Sequence, residues 1–268
     1  MNFLTRTYLK LFKQKRRAME NACFTGLIKD PSDSRDYKFG EILTPGTGLL
    51  KRINLKQYTS KVKQQGTANS CTAHAAILVW EISQRIKGRK ENKDWVEGSE
   101  SYAYKNGRIQ AGLYPEDSGC YIRSVLKIMQ TKGVCPERMN PYNDNNINAE
   151  PRPFADNIAS MFKITNYTRL NSIIEIKNSL QNLKPVIIGT PIYKEFFDDR
   201  EVKKGIPIPN KKNFPMGAHA YTIIGYDDDI GSFLIQNSWG QWGNEGFAWM
   251  PYDYIEKVSW FDAWNITI

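Results

Sequence analysis

The chain has 268 residues, 41% hydrophobic and 24% charged, a balance that suits a folded protein of one large domain or two lobes. No apolar run reaches the roughly 18 residues that span a bilayer, and charges interrupt every apolar stretch of the first 22 residues, which argues against a secretory signal. The net charge of +9 is concentrated at the start, where residues 1–30 carry seven Lys and Arg against Glu20 and Asp30.

Within that arm Phe3, Leu4, Tyr8, Leu11 and Phe12 recur at spacings of three and four, predicting a short basic amphipathic helix. Five apolar residues make a weak anchor, so docking on the protein itself is preferred over contact of residues 1–20 with an acidic membrane or nucleic acid. DPSDSRDYKFGEILTPGTG, residues 30–48, is rich in Asp, Ser, Pro and Gly and predicts an extended passage that ends the arm.

A mainly helical body follows from about Leu49 to Tyr142. CTAHAAILVWEISQRIKG is one helix with Gly88 as its stop, GSESYAYKNGRI a second, and YIRSVLKIMQTKG a third ending at Gly133. After NPYNDNNINAEPRP the pattern changes to strands: PVIIGTPIY, HAYTIIGY, SFLIQNS, GFAWM and VSWFDAWNITI are rich in β-branched and aromatic residues. DDDIG, residues 227–231, reads as a hairpin turn. The plan is α+β, with residues 1–48 as an arm and 49–268 as one functional unit. Within that unit a helical lobe covers about 60–150, a β-rich lobe 151–268, and a cleft separates them.

The four cysteines, Cys23, Cys71, Cys120 and Cys135, match no zinc spacing and no dense disulfide scaffold. An intracellular, reducing or a particle-associated setting with free thiols is therefore expected, with a Cys120–Cys135 pair as the oxidising alternative. The sequons at Asn166 and Asn265 are expected to go unused. Cys71 stands apart, because Asn69 or Ser70 can cap the helix and leave it in the first turn. There the helix dipole favours a thiolate.

A nucleophilic thiol needs a base, and the chain offers only His74 and His219. His74 is one turn beyond Cys71 but sits in the apolar run AHAAILVW, where a buried structural histidine is the preferred reading. His219 opens a predicted strand of the other lobe. Asn237, after the next strand, can orient its imidazole, and Trp239 can cover the pair. A metal held by Cys71, His74 and His219 finds no fourth ligand, so no metal and no cofactor is expected.

QGTANSC (65–71), GAHAYTIIGYDDD (217–229) and NSWGQWGNEGF (237–247) together resemble the papain-like cysteine peptidases. His219 lies 148 residues after Cys71, within the family's span of about 130–150, and Asn237 lies 166 after it. The resemblance implies the two-lobe papain-like fold, with a helical lobe and a β-barrel-like lobe. It implies Cys71 as nucleophile, His219 as base, Asn237 as its orienting partner and Gln65 as an oxyanion donor beside the Cys71 N–H. It further implies Gly119, Cys120, Tyr121, Ala220 and Trp239 along the substrate. Tyr121 and Ala220 belong to the pocket for the second residue before the cut.

Departures from the family are Thr72 where a tryptophan is usual, Ala68 where secreted members have a disulfide cysteine, and Cys120 where they have glycine. CTAHA, PSDSRDY and GVCPE look similar to a bacterial and viral-type branch that lacks the long propeptide. A monomeric endopeptidase acting on protein or peptide substrates is the expected function, with no nucleic acid required. The arm is expected as a short pro-segment restraining the cleft. A catalytically silent binding module and a thiol acyltransferase stand as alternatives.

Overall fold

The computed structural model describes residues 25–36, 48–91, 94–210 and 213–268. The predicted basic helix near the start and Cys23 lie outside the described residues.

Helix α1, Cys71–Glu91, starts where the Ser70 carbonyl takes the N–H groups of Ala73 and His74, at 3.0 and 3.1 Å. Ala73, Ala75, Ala76, Ile77, Val79 and Trp80 are buried, as a helix sandwiched between two layers requires. Gly88 does not stop it. A mid-helix glycine costs only about 1 kcal/mol, and tertiary contacts outweigh that. The Arg85 guanidinium lies 4.0 Å from the Trp95 ring, and Arg89 donates to Gln57 and to the Tyr58 hydroxyl at 3.3 Å.

Two helices pack beside α1. In α2, Glu100–Ala111, the Ser99 hydroxyl caps the Tyr102 N–H at 3.0 Å. In α3, Ile122–Thr131, the chain closes through Gly133, whose N–H returns to the Ile128 carbonyl at 3.0 Å. A short helix α4, Ala155–Ala159, shares a buried cluster with Tyr102 and Cys135, so residues just past 151 pack on the helical side.

The second layer is an antiparallel sheet in the order β2-β7-β3-β4-β5-β6. Its strands are β2 Asn166–Leu170, β3 Val186–Ile192, β4 Gly217–Asp227, β5 Ser232–Gln236, β6 Phe247–Pro251 and β7 Asp262–Thr267. The residue 227–231 turn does join β4 to β5 as a hairpin. Strand β1, Arg52–Asn54, comes from before the helical lobe and continues the β3 side of β4 beyond Val186. Gly225 permits that approach at the bulge in β4, since a Cβ there would lie 2.4 Å from the Ile53 carbonyl oxygen.

Strands β1 and β2 are too short, and helix α5 (Ile173–Gln181) too mixed in pattern, to stand out in the sequence. Both lobes meet along α1 and β4, where the Thr222 hydroxyl donates to the Ala75 carbonyl at 3.2 Å. Cys71 and His219 therefore sit near the same end of one seam. Cys71, Cys120 and Cys135 are free thiols, and the Asn265 amide is buried, donating to the Ser179 hydroxyl at 2.8 Å.

Candidate active site

Cys71 begins α1 and is fully buried. Backbone N–H groups of Ala220, Gly26, Thr72 and Cys71 itself point at its sulfur and favour the anion. Burial is the larger effect and pushes the thiol up to about 12, the reverse of the depressed value that the helix terminus alone predicts. What buries it is the chain itself.

Residues 25–28 cross the cleft beside the sulfur. Cys120 donates its N–H to the Gly26 carbonyl at 2.7 Å, Ile28 donates to the Cys120 carbonyl at 3.0 Å, and Leu27 donates to the Ala218 carbonyl at 3.3 Å. Leu27 and Cys120 thus form a parallel bridge. The crossing needs two glycines. A Cβ on Gly26 would lie 1.8 Å from the Asn69 carbonyl oxygen, and one on Gly119 (φ 86°) would lie 2.3 Å from the Gly26 carbonyl oxygen. The Leu27 side chain is buried against Gly189 and Ile122.

Beyond the crossing, residues 29–36 are tied down by charge. Asp30 N–H donates to Asp262 at 2.8 Å, and Arg123 donates to Asp36 through Nε at 2.8 Å and Nη2 at 2.5 Å. Arg169 joins Asp36 to Asp262. Burial, then the neighbouring Asp262 charge, raises Asp30 to about 7 against its ordinary 3.8.

On the sheet side, His219 Nε2 and Asn237 Oδ1 are 2.7 Å apart. With Nε2–H donating to that oxygen, Nδ1 remains the basic nitrogen. Asn237 Oδ1 also accepts the Ser238 N–H at 2.8 Å, which fixes the amide. Trp239 lies with its ring 4.4 Å from the imidazole and stacks on Phe197 at 5.4 Å. At 5% exposure it covers the His219–Asn237 pair.

Gln65 is fully buried, with Nε2 donating to the Ala68 carbonyl at 2.9 Å and Oε1 accepting from the Ser238 hydroxyl at 2.7 Å. Gly119 and Ala220 border the crossing, and Tyr121 follows Cys120 as the residue that opens α3. Cys120 takes part through its backbone alone, and its sulfur turns toward Gly107 of α2. That orientation explains why a side chain is tolerated where the family has glycine.

Three contributors escaped the sequence. Ser238 bridges Gln65 to the Asn237 segment, and its position directly after Asn237 was the only signal. Tyr142 donates to the Gln65 carbonyl at 2.7 Å and pairs with the Ser70 hydroxyl at 2.7 Å, a contact across 77 residues that no local pattern encodes. Leu27 carried no signal at all.

A family model described as papain family cysteine protease matches residues 51–260. An uncharacterized peptidase C1-like protein of Acanthamoeba polyphaga mimivirus is 30% identical over 218 residues, covering 77% of this chain and 69% of that protein. A cysteine protease of Blomia tropicalis is 25% identical, but the match spans only 59% of its length and 75% of this chain. Among solved structures, xylellain, a cysteine protease from Xylella fastidiosa, is 30% identical with a TM-score of 0.82, over 91% of this chain and 95% of that one. Procathepsin L 3 of Tenebrio molitor larval midgut, 15% identical with a TM-score of 0.67, covers 94% of this chain and 79% of its own and shows the shared fold alone. The chain belongs to the papain family of cysteine proteases.

Proposed function

We propose that this chain is a cysteine endopeptidase with Cys71 as nucleophile and His219 as base, closed by its own residues 25–36. The observation that carries the reading is the His219–Asn237 pair at 2.7 Å under Trp239, on the strand whose next residue, Ala220, points its backbone N–H at the sulfur of Cys71.

Once the cleft opens, water returns to Cys71 and its proton moves to His219 Nδ1, giving a thiolate beside an imidazolium. The thiolate attacks the scissile carbonyl carbon. Gln65 Nε2–H and the Cys71 N–H donate to the oxyanion that forms. His219 then protonates the leaving amine, and the acyl-enzyme is hydrolysed by water that His219 deprotonates. Ser238 keeps Gln65 and Asn237 in register: its hydroxyl donates to Gln65 Oε1, its carbonyl accepts the Gln65 N–H, and its own N–H donates to Asn237 Oδ1.

Leu27 supports a substrate preference. It fills the pocket between Gly189 and Ile122 while its backbone pairs with Cys120 and Ala218, as an extended peptide does. An aliphatic residue of leucine size is the proposed choice at the second position before the cut. The basic arm and residues 25–36 act as the restraint, and their release as activation.

Labelling with an epoxide thiol-protease inhibitor tests the reading. Wild type and a Leu27→Asp variant should both react at Cys71, the variant faster, and Cys71→Ala in neither background. Absence of labelling in the opened variant would favour a binding module. Transfer of the acyl group to an added amine in place of water would favour an acyltransferase.

A further inference from the structure

His74 lies beneath the catalytic groups and takes no part in the chemistry proposed above. It is buried in the first turn of α1, with Nδ1 3.1 Å from the Ser70 carbonyl oxygen and its ring edge-on to Tyr142 at 4.7 Å. If Nδ1–H donates to that carbonyl, Nε2 is left as an acceptor. It is buried and has no partner among the described residues.

Nε2 is not alone. Asn237 Nδ2, Gln236 Oε1 and Glu100 Oε2 are also buried without a partner among the described residues. All four residues line one cavity of about 20 Å³ between the lobes, next to Ala220 and Ser238. That is space for about one water molecule. The four atoms come from α1, from the segment ending β5 and from α2, so the cavity joins the lobes directly under the catalytic amide.

The polarity of the set suits one water. Asn237 Nδ2–H is a donor, while His74 Nε2 and Gln236 Oε1 are acceptors. A water that accepts from Asn237 and donates to His74 and Gln236 leaves one lone pair. Glu100 can fill it as a protonated acid: its Oε1 accepts from Lys63 at 2.7 Å, and burial raises its carboxyl to about 8. His74 stays neutral, since burial lowers it to about 3.

We propose that a water bound in this cavity links His74 Nε2 to Asn237 Nδ2, making His74 a positioning residue that fixes the amide holding His219. The inference rests on the reading of His219 and Asn237 as catalytic partners. Asn237 Oδ1 is held by His219 and by the Ser238 N–H, and the water holds the other end of the same amide. Rotation of the Asn237 side chain is then blocked at both termini. The nucleophile's helix and the base's strand are registered through one hydrogen-bonded bridge.

Two measurements test it. A wild-type crystal structure at about 1.5 Å should show a water within hydrogen-bond distance of both His74 Nε2 and Asn237 Nδ2. Density that is empty there, or a water touching only one of them, overturns the proposal. In kinetics, His74→Phe keeps the volume but removes the acceptor, and His74→Gln retains one. His74→Phe should lower kcat about tenfold with KM little changed. It should also move the alkaline limb of the kcat/KM profile to lower pH, because a loosened amide supports the imidazolium less. His74→Gln should recover most of both effects. A His74→Phe enzyme with the wild-type kcat and pH profile overturns the proposal, even if its Tm falls. Should the wild type itself lack Cys71-dependent hydrolysis, the catalytic reading fails, while the crystallographic water still decides the bridge. The same density decides it if His74→Phe does not fold.

Discussion

Leu27 donates its N–H to the carbonyl of Ala218, 3.3 Å away and one residue before His219. The contact links the N-terminal segment to the strand that carries His219, the proposed base. Together with the pairing to Cys120, it makes residues 25–28 an occupant of the cleft with a backbone and a side-chain anchor.

Breaking the side-chain anchor should open the cleft. Leu27→Asp places a carboxylate against Gly189 and Ile122 and forfeits the burial of a leucine, about 1.5–3 kcal/mol. The labelling rate of Cys71 by an epoxide should rise at least about tenfold. An unchanged rate would mean that residues 25–28 do not limit access.

The charged anchor predicts a pH dependence with a definite sign. Docking raises Asp30 from 3.8 to about 7 through burial and the adjacent Asp262, against the opposing charges of Arg123 and Arg169. A group raised in this way stabilises the docked state fully below pH 4, and the contribution is lost as pH rises through about 7. Docking should therefore tighten in acid and loosen progressively from about pH 4 up to neutrality. Asp30→Asn mimics the protonated form and should flatten the response. The ratio of wild-type to Asp30→Asn labelling rates, taken from pH 5 to 8.5, should climb up to about pH 7 and level off above it; a flat ratio would reject the mechanism.

Gln65 and Asn237 should fail differently. Gln65→Ala removes the proposed oxyanion donor and should lower kcat about 10²-fold with little change in KM. Asn237→Ala removes the 2.7 Å partner of His219, so kcat should fall and the alkaline limb of the profile should move down. Steady-state kinetics on an opened variant separates the two.

Gly225→Ala tests the fold without touching the site. Its Cβ would meet the Ile53 carbonyl oxygen at 2.4 Å, so β1 must shift from β4. A loss of about 1–3 kcal/mol is expected in denaturant unfolding, with the Cys71 labelling rate unchanged once folded.

The sequence by itself determined the helix that begins at Cys71, the strands around His219 and Asn237, and the order of the Cys, His and Asn segments. Local periodicity and short motifs carry those features, because each depends on residues within a turn or a strand of one another. It also separated His74 from His219, since an apolar run argues for burial. Only the tertiary structure decided the extent of α1 past Gly88, the addition of β1 to β4, the place of Trp239 over the imidazole, and the turn of the Cys120 sulfur away from the cleft. It also reversed the expected state of the Cys71 thiol. A helix terminus favours a thiolate, but the burial of Cys71, in a cluster that includes Leu27 from 44 residues upstream, outweighs the dipole. Such long-range burial has no local signature, because which segment fills a cleft depends on the closed shape that the whole chain makes.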